Sequence, residues 1–159
     1  MKFLRTIIAP VLFATVFVSV DVTNADATQN SKQSTSVPSD QKKRCPQYEH
    51  LLKKYDLTPV KTFSYIMWRE SRCNPKAQNA TWDKRGNMTW HLNSNGTYDT
   101  GLLQINSSWR TVTRNVCGKK ATDNHMAGLK NVDCNLRVAS WLLHNTKSGL
   151  GNWGGSSGL

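Results

Sequence analysis

Four cysteines constrain the fold of this chain most, because they follow an N-terminus with the pattern of an export signal. Lys2 and Arg5 precede an apolar run over residues 6–20, and Ala25-Asp26-Ala27 then offers a small-residue cleavage site. The run is shorter than the roughly 20 residues that span a bilayer. We therefore predict that residues 1–27 are a signal peptide. We expect the mature chain to be secreted or associated with the cell envelope, without stable insertion into a membrane.

The cysteines are an even set: Cys45, Cys73, Cys117 and Cys134. In an oxidising compartment such a set predicts two disulfides, although four cysteines allow three pairings. No two of them have the C-x-x-C spacing and the four histidines are scattered, so we expect no metal site. The sequence also leads us to expect no cofactor.

The chain is strongly basic, since 21 Lys and Arg residues oppose 10 Asp and Glu, which gives a formal net charge of +11. Such a charge favours an anionic partner, either nucleic acid, an acidic membrane surface or a polyanionic cell wall. Export disfavours intracellular nucleic acid, and no basic recognition helix with interleaved aromatic residues is evident. We therefore expect a wall polymer as the partner, no nucleic acid, and a chain that acts as a monomer.

Composition divides the exported part of the chain into three segments. Residues 28–44 are mostly Ser, Thr, Gln, Lys and Pro, which predicts a disordered linker that ends in a basic run. Residues 45–153 carry the apolar patterns of one folded domain. Residues 154–159 are predicted to form a flexible tail.

Hydrophobic periodicity predicts helices on both sides of a polar middle segment. One helix opens at Pro46, and a second follows with Thr58 as its N-cap. A third helix is predicted from about Gly101 and the last from about Asp133 as N-cap, with a shorter one between residues 123 and 130.

The polar stretch between residues 77 and 99 contains Asn95-Gly96, a dipeptide typical of hairpin turns. It predicts a small, irregular β region between the helices. The predicted fold class is therefore α+β, mostly α.

The first two helices also suggest how the cysteines pair. They have similar lengths and a short connection, so we expect them to be antiparallel. That arrangement brings Cys45, at the start of the first helix, beside Cys73, at the end of the second. We predict the pairs Cys45–Cys73 and Cys117–Cys134.

Glu70 is the most unusual carboxylate, because it lies on the apolar stripe of the second helix and in its last turn. Partial burial and the negative end of the helix dipole both disfavour the charged form of its carboxyl group. A general acid must hold its proton until it reacts, so this position suits one. Arg69 and Arg72 are expected to point to other faces of the helix. The simpler interpretation is a helix-end carboxylate that is paired with an arginine.

Three blocks of sequence carry a resemblance to a known family. The first is Trp68-Arg69-Glu70-Ser71-Arg72-Cys73-Asn74-Pro75-Lys76-Ala77, the second is Gly101-Leu102-Leu103-Gln104-Ile105-Asn106, and the third is Asn135-Leu136-Arg137-Val138-Ala139. In this order they resemble the lysozyme-like superfamily, in particular the soluble lytic transglycosylase (SLT) type of domain. The resemblance covers roughly residues 65–153. It implies a lysozyme-like fold and cleavage of the β-1,4 bond between N-acetylmuramic acid and N-acetylglucosamine in peptidoglycan.

Carried over position by position, the resemblance makes Glu70 the general acid and Ser71 its support. It also implies that Gln104 and Asn106 bind sugar in the cleft and that Asn135 lines the same groove.

The chain departs from the family's third motif, where Ala139 and Leu142 stand in place of a common glycine and tyrosine. The cleft tyrosine of the family is therefore missing at that position. Tyr98, Trp90 or Trp153 is expected to take its place.

Asp99 is the candidate for a second catalytic carboxylate. The segment from Tyr98 to Ser107 is also similar to the segment of animal-type lysozymes that carries their second catalytic aspartate, which implies a hydrolase. By resemblance to lytic transglycosylases, one glutamate suffices, because the 6-hydroxyl of muramic acid attacks and leaves a 1,6-anhydro product. Asp99 would then only cap the following helix. A non-catalytic glycan-binding module that keeps the fold is the third alternative.

Overall fold

The computed structural model describes residues 41–154. The predicted signal peptide, most of the predicted linker and residues 155–159 lie outside the described residues. Between residues 41 and 154, no helix is both long enough and apolar enough to cross a membrane. Within the same range, no three His, Cys, Asp or Glu side chains are grouped so that they could hold a metal ion.

The first half of the domain is helical. Two 3-10 turns, Gln41–Lys43 and Pro46–Tyr48, precede α1, which spans Glu49–Lys54, and α2 spans Val60–Ser71. These helices direct apolar side chains into the core, and the fully buried ones are Leu52, Phe63, Ile66 and Met67. The order and the positions of the first two helices agree with the periodicity of the sequence.

Two details at the start of these helices differ from the predictions. Pro59, in an extended conformation with ψ 134°, is the N-cap of α2, so Thr58 lies one residue too early for that role. Arg44, which we predicted to end a disordered linker, has a side chain only 12% exposed, 3.7 Å from the carboxylate of Glu49.

The middle of the chain forms the irregular β region that the sequence predicts. Strand β1, Asp99–Thr100, pairs antiparallel with strand β2, Ile105–Asn106. Isolated bridges join Gln78 to Thr100 and Trp82 to Met88.

The turn predicted at Asn95-Gly96 is confirmed. The N–H groups of Asn93 and Gly96 bond to the carbonyls of Thr97 and Asn93, each at 2.8 Å, and Gly96 has a φ of +76°. This turn brings the chain back towards β1, and therefore towards Asp99.

The helix predicted from Gly101 is wrong. Residues 101–104 form a turn between the two strands, and helical structure begins only with the 3-10 turn Ser107–Trp109 and α3, Arg110–Cys117. Gly101 has a φ of +85°, and a Cβ there would lie 2.2 Å from the carbonyl oxygen of Leu129. The apolar run over residues 102–105 is buried as a turn and a strand. A buried apolar run this short has the same pattern in a turn, a strand or a helix, so periodicity cannot tell them apart.

The second half of the domain surrounds one long helix. A 3-10 turn, Lys119–Thr122, leads to α4, Asp123–Met126, and to a further turn, Ala127–Lys130. Helix α5 spans Val132–Asn145, and the 3-10 turn Gly149–Trp153 follows it. The predicted N-cap of α5, Asp133, is wrong, because the side chain of Asn131 accepts the Cys134 N–H bond at the helix start.

Both predicted disulfides are confirmed. Cys45 bonds to Cys73 and Cys117 bonds to Cys134, with Cα–Cα distances of 5.6 and 5.7 Å. The first links the entry to α1 with the end of α2. The second links the end of α3 to the start of α5.

We expect removal of the first disulfide, in the double variant Cys45→Ser/Cys73→Ser, to lower the free energy of unfolding by about 3 kcal/mol. The bond closes a loop with a sequence separation of 28, and its loss returns that chain entropy to the unfolded state. Urea denaturation followed by circular dichroism measures the change. A loss below about 1 kcal/mol would contradict the expected constraint.

Candidate active site

A polar pocket of about 330 Å³ lies where the end of α2, strand β1 and the C-terminal 3-10 turn meet. Its lining residues are Arg69, Glu70, Asp99, Gln104, Asn152, Trp153 and Gly154. The pocket therefore brings together two carboxylates that are 29 positions apart in the sequence. The two carboxylates were the predicted catalytic pair.

Glu70 is the penultimate residue of α2, and its side chain is 28% exposed. We expected Arg69 to point to another face of the helix, and this is wrong: Glu70 is a helix-end carboxylate paired with an arginine, the simpler of the two interpretations of the sequence. The Nε and Nη2 of Arg69 both donate to Oε1 of Glu70, at 2.9 and 2.6 Å. The long guanidinium side chain bends back along the helix end, which the spacing of Cβ positions does not reveal.

Asp99 lies in β1 and is surrounded by asparagine amides. Its Oδ1 accepts a hydrogen bond of 2.8 Å from Asn106, which is directly opposite on β2. Its Oδ2 accepts from Asn93 at 2.8 Å and from Asn79 at 3.5 Å. The expectation that Asp99 caps a helix is wrong, because it lies in a strand and α3 begins eleven residues later. Three N–H donors therefore hold this carboxylate in place.

Asn79 and Asn93 were missed in the sequence analysis. Asn79 also accepts the backbone N–H of Asp99 at 2.7 Å, and its amide donates to the side chain of Asn93 at 2.7 Å. Both residues come from the polar stretch that crosses the β region without regular spacing. Their composition indicates loops, but no periodic signal relates them to Asp99.

Gln104 and Asn106 both lie at or next to the pocket. Gln104 lines it with φ +44°, and its amide donates to the carbonyls of Gly101 and Ala77 at 2.8 and 3.3 Å. Asn106 donates to Asp99 and accepts the Ser108 N–H, so it positions the carboxylate and the 3-10 turn that follows.

Three other predicted site residues face the core. Ser71 is 7% exposed and its hydroxyl donates to the Met67 carbonyl, so it bonds to its own helix and makes no bond to Glu70. Tyr98 is 8% exposed and packs edge-on against Trp82, with ring centroids 5.0 Å apart. Successive side chains of a strand point to opposite faces, so Tyr98 points away from the pocket that Asp99 enters.

Asn135, predicted to line the groove, is fully buried and has no surface for sugar. Its amide donates to the carbonyls of Thr100 and Leu129, and its oxygen accepts the Leu103 N–H, all at 3.0 to 3.1 Å. It thereby holds the turn between β1 and β2 against α5, and acts on the site only through that turn.

Replacing Asn135 with alanine is expected to lower the free energy of unfolding by about 3 kcal/mol, because three buried backbone groups lose their partners. Asn145→Ala is the matched control, since this exposed asparagine of the same helix bonds only to the Trp141 carbonyl. We expect the control to cost less than about 1 kcal/mol in a urea titration. Equal losses in the two variants would contradict the bracing role of Asn135.

Comparison with known proteins identifies the family. Residues 49–157 match the family model described as the transglycosylase SLT domain, which is more than half of the chain. The chain belongs to this family. Its members are lytic transglycosylases of the glycosidase type that cleave peptidoglycan, and the mostly α, lysozyme-like architecture of this SLT domain agrees with the match.

Two solved structures are similar to the SLT domain described here. Both are of Bd0314 DslA, one in a wild-type form and one as a mutant, each 24% identical with a TM-score of 0.31. The match covers 65% of this chain and 53% of each DslA chain, so this chain spans about half the length of those proteins. None of the curated proteins compared with the chain matches it.

Proposed function

We propose that this SLT domain is a secreted enzyme that cleaves the β-1,4 bond between N-acetylmuramic acid and N-acetylglucosamine in peptidoglycan. The observation that carries the proposal is the convergence of Glu70 and Asp99 in one polar pocket. Two carboxylates on opposite sides of a glycosidic bond are the usual requirement for its hydrolysis. The net charge of +11 favours approach to an anionic wall polymer.

Glu70 acts as the general acid. A proton from its carboxyl group passes to the bridging oxygen, the bond from that oxygen to C1 of the muramic acid breaks, and the electron pair remains on the oxygen. Positive charge then develops at C1 and the ring oxygen of the muramic acid. The part-buried position at a helix end is compatible with this role.

Asp99 stabilises that positive charge and makes the enzyme a lysozyme-type hydrolase. A nucleophile or an electrostatic partner of C1 must be a carboxylate, and both oxygens of the Asp99 carboxylate accept asparagine N–H groups. The amides also fix the position of the carboxylate before the substrate arrives, which lowers the cost of reorganisation. A water oxygen then bonds to C1, its proton passes to the Glu70 carboxylate and restores the acid, and the muramic acid is left with a reducing end.

Anhydro-forming transglycosylation is the second candidate, and the family match favours it. In that reaction the 6-hydroxyl of the muramic acid attacks C1 and its proton passes to the Glu70 carboxylate, so the product is a 1,6-anhydro sugar and no water is consumed. Glu70 performs the same proton transfer in both reactions. Asp99 is dispensable only in transglycosylation, where the 6-hydroxyl itself forms the new bond to C1.

Binding to sugar in the pocket is assigned to Gln104. It is the neutral polar side chain that lines the pocket from the turn between β1 and β2. Its amide N–H groups are bonded to backbone carbonyls, which orients its side-chain oxygen as an acceptor for a sugar hydroxyl.

A sedimentation assay with purified sacculi tests the proposal against a module that only binds. We expect the protein to sediment with sacculi and to release soluble muropeptides over time. Sedimentation without release of muropeptides would identify a non-catalytic glycan-binding module. Binding to DNA without binding to sacculi would show that the partner is nucleic acid and not the cell wall.

A further inference from the structure

The guanidinium of Arg69 makes the closest polar contact with Glu70. Its Nε and Nη2 bond to the same oxygen, Oε1, at 2.9 and 2.6 Å. Both side chains are part-buried, with 24% of Arg69 and 28% of Glu70 exposed, so water screens the pair less than an ion pair on the open surface. Arg69 also lines the pocket itself.

The contact distinguishes the two oxygens of the Glu70 carboxyl group. An oxygen that accepts two N–H donors has its lone pairs occupied, so the acid proton does not reside there. The proton is therefore carried by Oε2. An acid that holds its proton on one defined oxygen delivers it in one defined direction.

Arg69 is itself held by the C-terminal 3-10 turn. Its Nη2 donates to the carbonyl oxygen of Trp153, and the indole N–H of Trp153 donates to the Leu103 carbonyl at 2.8 Å. The Trp153 ring is 6% exposed and packs edge-on against Phe63, with ring centroids 5.4 Å apart. The guanidinium is thus fixed between the end of α2 and a buried tryptophan.

We propose that Arg69 is a positioning residue for catalysis, which holds Oε1 of Glu70 so that Oε2 carries the acid proton. The inference rests on the proposed role of Glu70 as the general acid. When the proton leaves Oε2 for the bridging oxygen, the carboxyl becomes a carboxylate. The bonds from the Arg69 guanidinium then join two full charges instead of one, so they strengthen along the reaction. An interaction that strengthens towards the transition state raises kcat and leaves KM nearly unchanged.

The variants Arg69→Ala and Arg69→Lys test the proposal, with soluble, uncross-linked glycan strands as substrate. For Arg69→Ala we expect kcat to fall by about 10- to 100-fold, because a misplaced catalytic group costs a factor of this order. We expect KM to change less than about threefold, since the contact acts in the transition state. Arg69→Lys should lie between the alanine variant and wild type, because an ammonium supplies charge without the planar fork.

Arg72→Ala is the matched control. Arg72 belongs to the same helix end and carries the same charge, but its side chain lies over the Trp68 ring and donates to the carbonyls of Trp68 and Arg69. Its loss removes one cation near Glu70 without removing a bond to it. We expect its kcat to be within about twofold of wild type, as for a surface change.

Chemical rescue separates positioning from a merely structural effect. Because Arg69 lines the pocket, its removal opens a space that solvent can reach. Added methylguanidinium should restore part of the kcat of Arg69→Ala, whereas sodium chloride at the same concentration should not. A structural defect would not respond to the small cation.

Three results would overturn the inference: wild-type kcat in Arg69→Ala, an equal loss in Arg72→Ala, or no response to methylguanidinium. Failure of the proposed function itself is recognised separately. If Glu70→Gln is inactive and Arg69→Ala is fully active, only the positioning role fails. If Glu70→Gln retains activity, the role of Glu70 fails, and that of Arg69 fails with it.

Discussion

Replacement of Glu70 by glutamine is expected to lower the rate of glycan cleavage at least about 100-fold, because general acid catalysis typically contributes a rate factor of this size. The amide keeps the shape of the side chain and an oxygen that Arg69 can still bond, but it cannot donate the proton that the leaving oxygen needs. We therefore expect an unchanged fold and nearly unchanged binding to sacculi. The fall in turbidity of a sacculus suspension measures the rate.

The chain provides a matched control in Glu49, its one other glutamate. Glu49 lies in α1 and faces Arg44, away from the residues that line the pocket. Glu49→Gln should therefore clear sacculi at a rate near that of wild type. A Glu70→Gln rate above about a tenth of wild type would contradict the assignment of the general acid.

Replacement of Asp99 by asparagine is expected to lower turnover by about 100-fold or more, the cost of losing a preorganised charge in an active site. Both carboxylate oxygens accept amide hydrogens, from Asn106 on one side and from Asn93 on the other. An asparagine there presents an NH₂ group to one of these donors. The variant should also lose about 1 kcal/mol of stability, because one part-buried donor loses its acceptor.

Asp83→Asn is the control for Asp99, because this carboxylate of the same β region accepts hydrogen bonds from within its own turn, from Asn87 and Arg85. We expect its turnover to match wild type. If wild-type products carry 1,6-anhydro ends and Asp99→Asn remains active, the two-carboxylate hydrolase is wrong and the transglycosylase reaction takes its place.

Local spacing was enough to single out Glu70 and to pair the cysteines, whereas Asp99 and Gln104 were chosen by resemblance. Glu70 was found because the apolar stripe and the end of α2 are both properties of one helix. The pair Cys45–Cys73 followed from two helices and a short connection. These inferences need only the period of a helix and the direction of the chain.

The residues that were missed act through contacts that periodicity does not encode. Asn79 and Asn93 reach Asp99 across irregular loops, 20 and 6 positions away. The contact of Arg69 with its sequence neighbour depends on how a long side chain bends, and the Trp153 carbonyl that fixes it lies 84 positions away. Asn135 was assigned to the cleft by resemblance, and Tyr98 as a substitute for the tyrosine that the family has and this chain lacks. Both are buried in the core.

Mass spectrometry of the muropeptides released from purified peptidoglycan tests the central claim most directly. We expect fragments in which every new reducing end is an N-acetylmuramic acid, with the mass of a free reducing sugar for the hydrolase, and every new non-reducing end is an N-acetylglucosamine. An end lighter by one water would identify the transglycosylase and retain Glu70 as the acid. New reducing ends on N-acetylglucosamine, or no fragments released by folded wild-type protein, would contradict cleavage of the β-1,4 bond that we propose.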